Sequence, residues 1–212
     1  MQTTIYLVRH GEPQLTGTLL GMTNSPLSDK GWQQLRVQCQ SLKKVNQVLS
    51  SPLDRCAHFA TYFARENNIA LDIDHHWQEC NFGDWDGVAY DVLHKNFNPH
   101  ATQFFTDPAK YPPPNGESLH DFYERSCSAV KTLIEQHQGK TVLVFTHGGV
   151  IRNLVAWCLG LDYLSGNQFQ RFAVEYASIT QLTIFHEPSL FAQLQHLNIT
   201  GDNVKTLAEP VS

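Results

Sequence analysis

The sequence predicts an α/β fold, a three-layer sandwich with a mostly parallel central sheet flanked by helices. Short apolar runs alternate along the chain with segments whose apolar residues recur at helical spacing, which is typical of α/β proteins. Two runs, at residues 5–8 and 141–145, are almost wholly apolar, as expected for strands buried on both faces. No internal repeat or linker divides the chain, so we expect a single domain over residues 1–212.

The composition is that of an ordinary globular protein, and the chain is long enough for a substantial core. A net charge of -5 argues against a general nucleic-acid-binding protein. No apolar run approaches membrane-spanning length, and the first residues lack the pattern of a signal peptide. The five cysteines are odd in number and widely spaced, which is typical of reduced thiols. We therefore expect a cytoplasmic protein with no membrane or nucleic-acid partner.

The first half of the chain opens with the strand at residues 5–8, which ends in Arg9-His10-Gly11-Glu12. A glycine there allows the sharp turn with which a strand ends. Ser28 is a typical N-cap residue, and Pro52 suits the first turn of a helix. The order predicted after the first strand is a loop over 12–27, a helix from 28, a strand over 45–49, a helix from 52 and a weak strand over 71–74.

The regular pattern breaks down between Asp86 and Gly116, and we expect this segment to be a lid-like insertion. Insertions of this length are uncommon in compact domains and often cover binding sites. The segment is rich in aromatic residues, whose apolar faces need a surface to cover. These are Tyr90, Phe97, Phe104, Phe105 and Tyr111. The alternative is a solvent-side excursion with some helix of its own.

Regular patterns return at Glu117, where a long amphipathic helix begins. The strand at 141–145 follows, and the helix after it has an apolar side that includes Val150, Ile151 and Leu154. The amphipathic helix is expected to end at Gly139. Two or three strands over 172–185 and 190–197 and a loosely held tail over 200–212 complete the chain.

Both of the most apolar strands end in His-Gly, at His10 and His147. The carboxyl ends of neighbouring parallel strands meet at one edge of a sheet, so we expect the two imidazoles to lie close together. Arg9 precedes the first histidine, and Arg55 begins the helix that follows another strand. These cationic groups repel one another unless an anion lies among them. The pattern therefore predicts a phosphoryl site, in which a neutral imidazole is a possible nucleophile.

A metal site is the competing use of paired histidines. Two arginines beside the histidines would oppose a divalent cation, and neither histidine has a neighbouring His-x-His motif or a carboxylate cluster. The other histidine pair, His75-His76, is expected to be exposed. We therefore predict that the site uses no metal ion and no other cofactor.

Six segments, in order between residue 5 and about residue 160, resemble the motifs of the histidine phosphatase superfamily, whose fold is that of phosphoglycerate mutase. One such motif is weak support, whereas six in register are strong. They are Leu7-Val8-Arg9-His10-Gly11-Glu12, Gly21-Met22-Thr23-Asn24-Ser25-Pro26-Leu27, Ser50-Ser51-Pro52-Leu53-Asp54-Arg55, Glu79-Cys80-Asn81-Phe82-Gly83-Asp84-Trp85-Asp86-Gly87, Asn115-Gly116-Glu117-Ser118 and Thr146-His147-Gly148-Gly149-Val150-Ile151-Arg152.

The resemblance implies a role for each predicted catalytic residue. His10 would be the nucleophile that becomes phosphorylated. Arg9, Arg55 and His147 would form the phosphate pocket, and His147 is expected to act there as a cation. Glu79 would protonate the leaving group and then activate water, a role that suits a carboxyl group.

The same resemblance implies substrate contacts from Gly21, Thr23, Trp85 and Gly148. Glu12 and Glu117 also lie in the matched segments, and we interpret them as structural.

One loop departs from the family pattern. The loop between His10 and Gly21 is shorter than is usual in the superfamily, and the family's frequent asparagine has no match there. Thr16 and Thr18 are the candidates for the missing phosphate contact.

Within the superfamily, segments 82–87 and 112–118 resemble those of α-ribazole phosphatases, and they are shared with broad-specificity sugar and nucleotide phosphatases. We therefore predict a small-molecule phosphomonoester as substrate, with α-ribazole 5′-phosphate, an intermediate of cobalamin assembly, as the first choice. A phosphoglycerate mutase would need extra cations, yet the predicted lid offers only Lys95 and Lys110. A non-catalytic phospholigand-binding module is the third alternative, and the presence of all five expected chemical residues argues against it.

Overall fold

The computed structural model describes residues 1–42 and 44–201 and has six helices and six strands in that part of the chain. Short 3-10 turns connect several of these elements. The strands are β1 (Gln2–Arg9), β2 (Gln47–Ser50), β3 (Leu71–Ile73), β4 (Thr141–Thr146), β5 (Ile179–Phe185) and β6 (Phe191–Ile199). The helices are α1 (Asp29–Cys39), α2 (Asp54–Asn67), α3 (Tyr90–Asn96), α4 (His100–Thr106), α5 (Leu119–Gln136) and α6 (Gly148–Leu159).

The six strands form one sheet in the order β3-β2-β4-β1-β5-β6. Strands β1 to β4 are mutually parallel, and β5 and β6 add two antiparallel strands at one side. The register of the central pair aligns Arg9 with Thr146. The residues that follow these two strands therefore emerge side by side, at the carboxyl ends where α/β sheets bind their ligands.

Helices cover both faces of the sheet, which confirms the predicted three-layer α/β architecture. Successive side chains of a strand point to opposite faces. Ile5 and Leu7 accordingly pack with α5 and α6, whereas Val8 packs with α1 and α2. All three side chains are fully buried. Each layer of helices thus has its own apolar core against one face.

Local signals set several helix boundaries, and the start of α1 after Ser28 is as predicted. Ser28 caps α1, because its side chain accepts a hydrogen bond from the N–H of Gly31. Helix α6 ends at Gly160, whose positive φ of 63° favours glycine. Helix α2 begins at Asp54, two residues later than predicted, because the backbone of Leu53 is still extended.

The insertion between Asp86 and Gly116 is more regular than the predicted break in pattern indicates. It contains α3 and α4, which pack around Trp85 together with Leu93 and Ala101. These three side chains are fully buried, and the indole of Trp85 contacts the rings of Phe97, His100 and Phe104. The insertion is therefore a small helical unit with its own core, and we call it the lid.

The last part of the sheet differs from the prediction. Strand β5 begins only at Ile179, because residues 174–178 turn back and bond to the end of β1 instead. The predicted loose tail over 200–212 lies outside the described residues from residue 202 onward.

The five cysteines are free thiols, as predicted, and four of them are buried. His75 and His76 are exposed, also as predicted. Across residues 1–42 and 44–201, no helix combines the length and hydrophobicity needed to cross a bilayer.

Candidate active site

The carboxyl ends of β1 and β4 open into a cavity of about 310 Å³. The backbone N–H of His10 donates to the carbonyl of Thr146 at 3.0 Å, which holds the two strand ends together. The rings of His10 and His147 lie with their centroids 5.2 Å apart. The two histidines that the strand pattern predicted to be neighbours are therefore neighbours in the structure.

His10 lines the cavity, although only 5% of its surface is exposed. Its Nδ1 lies 2.8 Å from the carbonyl oxygen of Gly11 and donates to it, so the lone pair of the neutral ring is on Nε2. Burial, together with the positive charges of Arg55 and Arg9, lowers the pKa of His10 well below its usual value. The imidazole is thus neutral near pH 7, with a fixed tautomer.

His147 is completely buried behind His10, next to Arg55. Nε of Arg55 donates to Nδ1 of His147 at 3.2 Å, and Nε2 of His147 then donates to the hydroxyl of Ser51 at 2.8 Å. Burial and the charge of Arg55 lower the pKa of His147 well below its usual value. This contradicts the expectation that His147 is a cation, because burial beside a guanidinium disfavours the charged imidazole.

Arg55 is fully buried at the start of α2, outside the cavity lining. Nη1 donates to the carbonyl of Thr23 at 3.0 Å and Nη2 to the carbonyl of Gly21. The N–H groups of Gly21 and Thr23 donate to the carboxylate of Asp86. These two predicted substrate contacts lie outside the cavity lining, and they fix the guanidinium instead.

Arg9 and Arg152 bring two further guanidinium groups to the cavity. A Cβ atom at Gly148 would lie 2.9 Å from Nη1 of Arg152 and 3.3 Å from Nε of Arg9, so the glycine lets both approach the N-terminus of α6. Nε of each arginine is buried without a hydrogen-bond partner. Two guanidinium groups, each with an unpaired Nε–H, beside a helix N-terminus form a binding site for an anion.

Glu79 lines the cavity on the other side of the α6 N-terminus. The N–H of Gly149 donates to one carboxylate oxygen of Glu79 at 3.0 Å, and the N–H of Cys80 donates to the other at 3.1 Å. A Cβ atom at residue 149 would overlap that carboxylate, so glycine is required there. The carboxyl group is held at a fixed position on the edge of the cationic pocket.

Glu117 lies in the cavity lining and pairs with Arg125 on α5. The guanidinium of Arg125 also donates to the carbonyls of His76, Gln78 and Glu79. This agrees with the structural interpretation of Glu117, because the pair anchors the segment that carries Glu79. Glu12, likewise interpreted as structural, pairs with Lys30 and accepts from Ser28.

The upper wall of the cavity is apolar and comes in part from the lid. Of the five lid aromatics in the sequence, Tyr90, Phe104 and Phe105 line it. Other apolar lining residues are Leu19, Leu20, Phe82, Pro108, Leu119, Phe122 and Phe169. The cavity therefore has a cationic floor and an apolar wall.

Three other aromatic side chains, of Trp85, Phe97 and Tyr111, lie outside the cavity lining. Trp85 lies in the core of the lid, fully buried and outside the cavity lining, so its indole supports the wall instead of forming it. Phe97 packs on Trp85, and Nζ of Lys110 lies over the ring of Tyr111, 5.2 Å from its centroid. The large aromatic ring of Trp85 suits a core as well as a binding wall, which is why sequence alone misplaced it.

The shortened loop brings Thr18 to the cavity. The buried Oγ1 of Thr18 has no hydrogen-bond partner, and the loop is tied to the lid where Thr18 forms a β-bridge with Ala89. Thr16 is exposed and lies outside the lining. Of the two candidate threonines, Thr18 is therefore the one in a position to contact a ligand.

Arg152 and Tyr176 line the cavity, although neither was predicted from the sequence to be a site residue. Arg152 could have been found, because it lies four positions after Gly148 on a helix and so shares its face. Tyr176 lies in the turn before β5 and carries no sequence signal for its position. Among the described residues, no group of three or more His, Cys, Asp or Glu side chains is arranged to hold a metal ion.

The model of the histidine phosphatase superfamily (branch 1) matches residues 5–198. The chain belongs to this superfamily. It is similar to phosphoglycerate mutase-like protein 4 of Arabidopsis thaliana, with 32% identity over 158 residues, which cover 71% of this chain and 68% of the relative. It is also similar to phosphoserine phosphatase 1 of Hydrogenobacter thermophilus, with 26% identity over 92% of each chain.

Solved structures of superfamily members share the fold. The α-ribazole phosphatase of Shigella flexneri superposes with a TM-score of 0.78 and 25% identity, over 92% of this chain and 96% of that one. The chain spans about half the length of several mycobacterial relatives that it matches, since it covers 54% of each.

Proposed function

We propose that this member of the superfamily is a phosphomonoester hydrolase that works through a phosphohistidine on His10. The observation that carries the proposal is the state of His10, a neutral imidazole whose Nδ1–H is bound to the Gly11 carbonyl and whose ring lines a cationic cavity. Nucleophilic catalysis requires such a free lone pair beside groups that stabilise the transferred phosphoryl oxygens. We also propose that residues 1–212 form a single domain.

In the first step, Nε2 of His10 attacks phosphorus, and the bond from phosphorus to the leaving oxygen breaks. Arg9 stabilises the negative charge on the three equatorial oxygens. Arg152 lies next to Arg9 and stabilises the same charge. Arg55 and His147, packed behind His10, hold the ring in place and keep it neutral.

Glu79 is the proposed acid and base. Its carboxyl group, on the edge of the cationic pocket, donates a proton to the leaving alkoxide and becomes a carboxylate. It then takes a proton from the water that attacks phospho-His10, which releases phosphate and restores the starting state. Because the first step needs a neutral His10 and a protonated Glu79, the rate is expected to fall on both sides of a pH optimum.

For the substrate we propose a monoester with one phosphate and a flat apolar group, and α-ribazole 5′-phosphate is the first candidate. The cationic floor suits the phosphate, and Tyr90, Phe104 and Phe105 offer aromatic faces for the base. The similarity to the Shigella flexneri enzyme supports the same choice. A sugar bisphosphate would leave this wall without a partner.

A phosphoglycerate mutase is the second candidate, and Arg152 is the observation that favours it. This arginine gives the cavity a cation beyond those of the predicted phosphate pocket, whereas Lys95 and Lys110 of the lid are not part of the lining. A second anionic group on the substrate could bind it.

The test is a comparison of kcat/KM across phosphomonoesters, in the presence of a chelator, with His10→Ala as the inactive control. We expect hydrolysis without added metal and a preference for α-ribazole 5′-phosphate over 3-phosphoglycerate and simple sugar phosphates. A preference for the sugar or acidic esters would contradict the α-ribazole assignment alone. Interconversion of phosphoglycerates without release of phosphate would favour the mutase, and dependence on a divalent ion would contradict the site as described.

A further inference from the structure

Tyr176 touches both residues at the end of β1 that face the cavity. The guanidinium carbon of Arg9 lies 4.1 Å from the centroid of the Tyr176 ring, within the range of a cation–π contact. The centroid of the His10 ring lies 5.6 Å from the same ring. Tyr176 is half-buried and lines the cavity.

The turn that carries Tyr176 is fastened to the β1 end by backbone hydrogen bonds. The N–H of Ala177 donates to the carbonyl of His10 at 3.0 Å, and the carbonyl of Ser178 accepts from the N–H of Arg9 at 3.1 Å. Ala177 has a φ of 57°, which is unusual for a residue with a side chain. The turn and the strand end are therefore fixed relative to each other, and the position of the Tyr176 ring is set by both.

Arg9 depends on this turn because it has few other partners. Its Nη1 donates to the carbonyl of Val174 at 2.6 Å, and its Nε is buried with no hydrogen-bond partner. A single hydrogen bond leaves a long side chain free to rotate about its axis. The face of the Tyr176 ring removes that freedom, because the guanidinium must lie over it.

We propose that Tyr176 is a positioning residue, which holds the guanidinium of Arg9 over its ring and so fixes the direction from which this guanidinium meets the phosphoryl group. The inference rests on the proposed function, since it assigns the phosphoryl group to that pocket. Tyr176 acts through Arg9, and its hydroxyl is not required. The aromatic ring alone is the feature that matters.

The experiment measures competitive inhibition by inorganic phosphate, together with kcat and KM. In Tyr176→Leu we expect phosphate to bind about tenfold more weakly, the loss typical of a partly desolvated cation–π contact. In Tyr176→Phe, which keeps the ring, we expect a change of less than about twofold. Tyr62→Leu is the matched control, because Tyr62 is also half-buried but lies outside the cavity lining, against Trp32 and Phe59.

A double-mutant cycle separates positioning from a general loss of structure. If Tyr176 acts through Arg9, Tyr176→Leu should have no further effect on phosphate binding in the Arg9→Ala background. The proposal is overturned if the tenfold loss persists in that background, or if Tyr176→Leu binds phosphate as the wild type does. Should Tyr176→Leu fail to fold, Tyr176→Met serves in the same cycle.

The two proposals fail in distinguishable ways. Loss of turnover in His10→Ala with normal phosphate binding in Tyr176→Leu leaves the proposed function intact and removes the role of Tyr176. Normal turnover in His10→Ala removes the proposed function itself.

Discussion

The rings of His10 and His147 lie 5.2 Å apart, and burial and neighbouring arginines lower the pKa of each well below its usual value. Two imidazoles at this distance cannot both be charged at low cost. The surroundings therefore favour the neutral form of both. Nδ1 of His10 donates to the Gly11 carbonyl, and Nδ1 of His147 accepts from Nε of Arg55. The absence of a proton on Nε2 of His10 makes it available as a nucleophile.

The first prediction concerns stability and pH. Because the pKa of His10 is lowered in the folded state, His10 binds a proton below about pH 6.5 in the unfolded chain but not in the folded chain. The contribution of the neutral histidine to the free energy of unfolding is therefore fully present above that pH. It falls on acidification by about 1.4 kcal/mol per pH unit for each such histidine. Urea unfolding of wild type and His10→Gln between pH 7.5 and pH 5.5 should show a shallower loss in the variant. His58→Gln is the control, because His58 is exposed. A loss of stability in His10→Gln equal to that of the wild type would contradict the assignment of His10 as neutral.

The second prediction concerns Glu79. A carboxyl group that protonates the leaving group matters most when that group is a poor one. Glu79→Gln should therefore hydrolyse alkyl phosphates at least about a hundredfold more slowly, and aryl phosphates should be much less affected. Steady-state kinetics on both classes decides this, and equal losses would count against Glu79 as the acid.

Thr18 is the subject of the third prediction. Its hydroxyl is buried, unpaired and part of the cavity lining. A hydrogen bond to a charged phosphate is worth about 1.5–3 kcal/mol, so Thr18→Val should weaken phosphate binding by about tenfold or more. The same change at the exposed Thr16 should have no effect, and equal behaviour of the two variants would show that Thr18 does not contact the phosphate.

The fourth prediction concerns the core of the lid. Trp85 is fully buried between α3 and α4, so truncation leaves a large cavity. Trp85→Ala should lower the free energy of unfolding by about 3–5 kcal/mol. Phe191→Ala, at a side chain that is 58% exposed, should change it by less than about 0.5 kcal/mol. A Trp85→Ala protein as stable as Phe191→Ala would mean that the lid does not depend on this core.

The sequence predicted those features that follow from the ends of strands. Uninterrupted apolar runs identified β1 and β4, and their parallel pairing brought His10 and His147 together. Features set by tertiary packing were not predictable in the same way. Tyr176 reaches the cavity only because its turn bonds to His10, and no periodicity signals that contact.

The lid shows the same limit at the level of secondary structure. Helices α3 and α4 have seven residues each, too few to establish a helical period, so the sequence indicated only a break in pattern. The break spans both of these helices. It could not tell which aromatic side chains support the lid and which face the cavity.

The most direct test of the central claim is to trap the phosphorylated enzyme and locate the phosphoryl group. Wild-type protein and Glu79→Gln are mixed with an aryl phosphate, quenched without acid and analysed by peptide mass spectrometry. The account predicts a phosphoryl group on His10, accumulating most in Glu79→Gln because water is no longer activated, and none in His10→Ala. A phosphoryl group on another residue, or turnover that continues in His10→Ala, would contradict it.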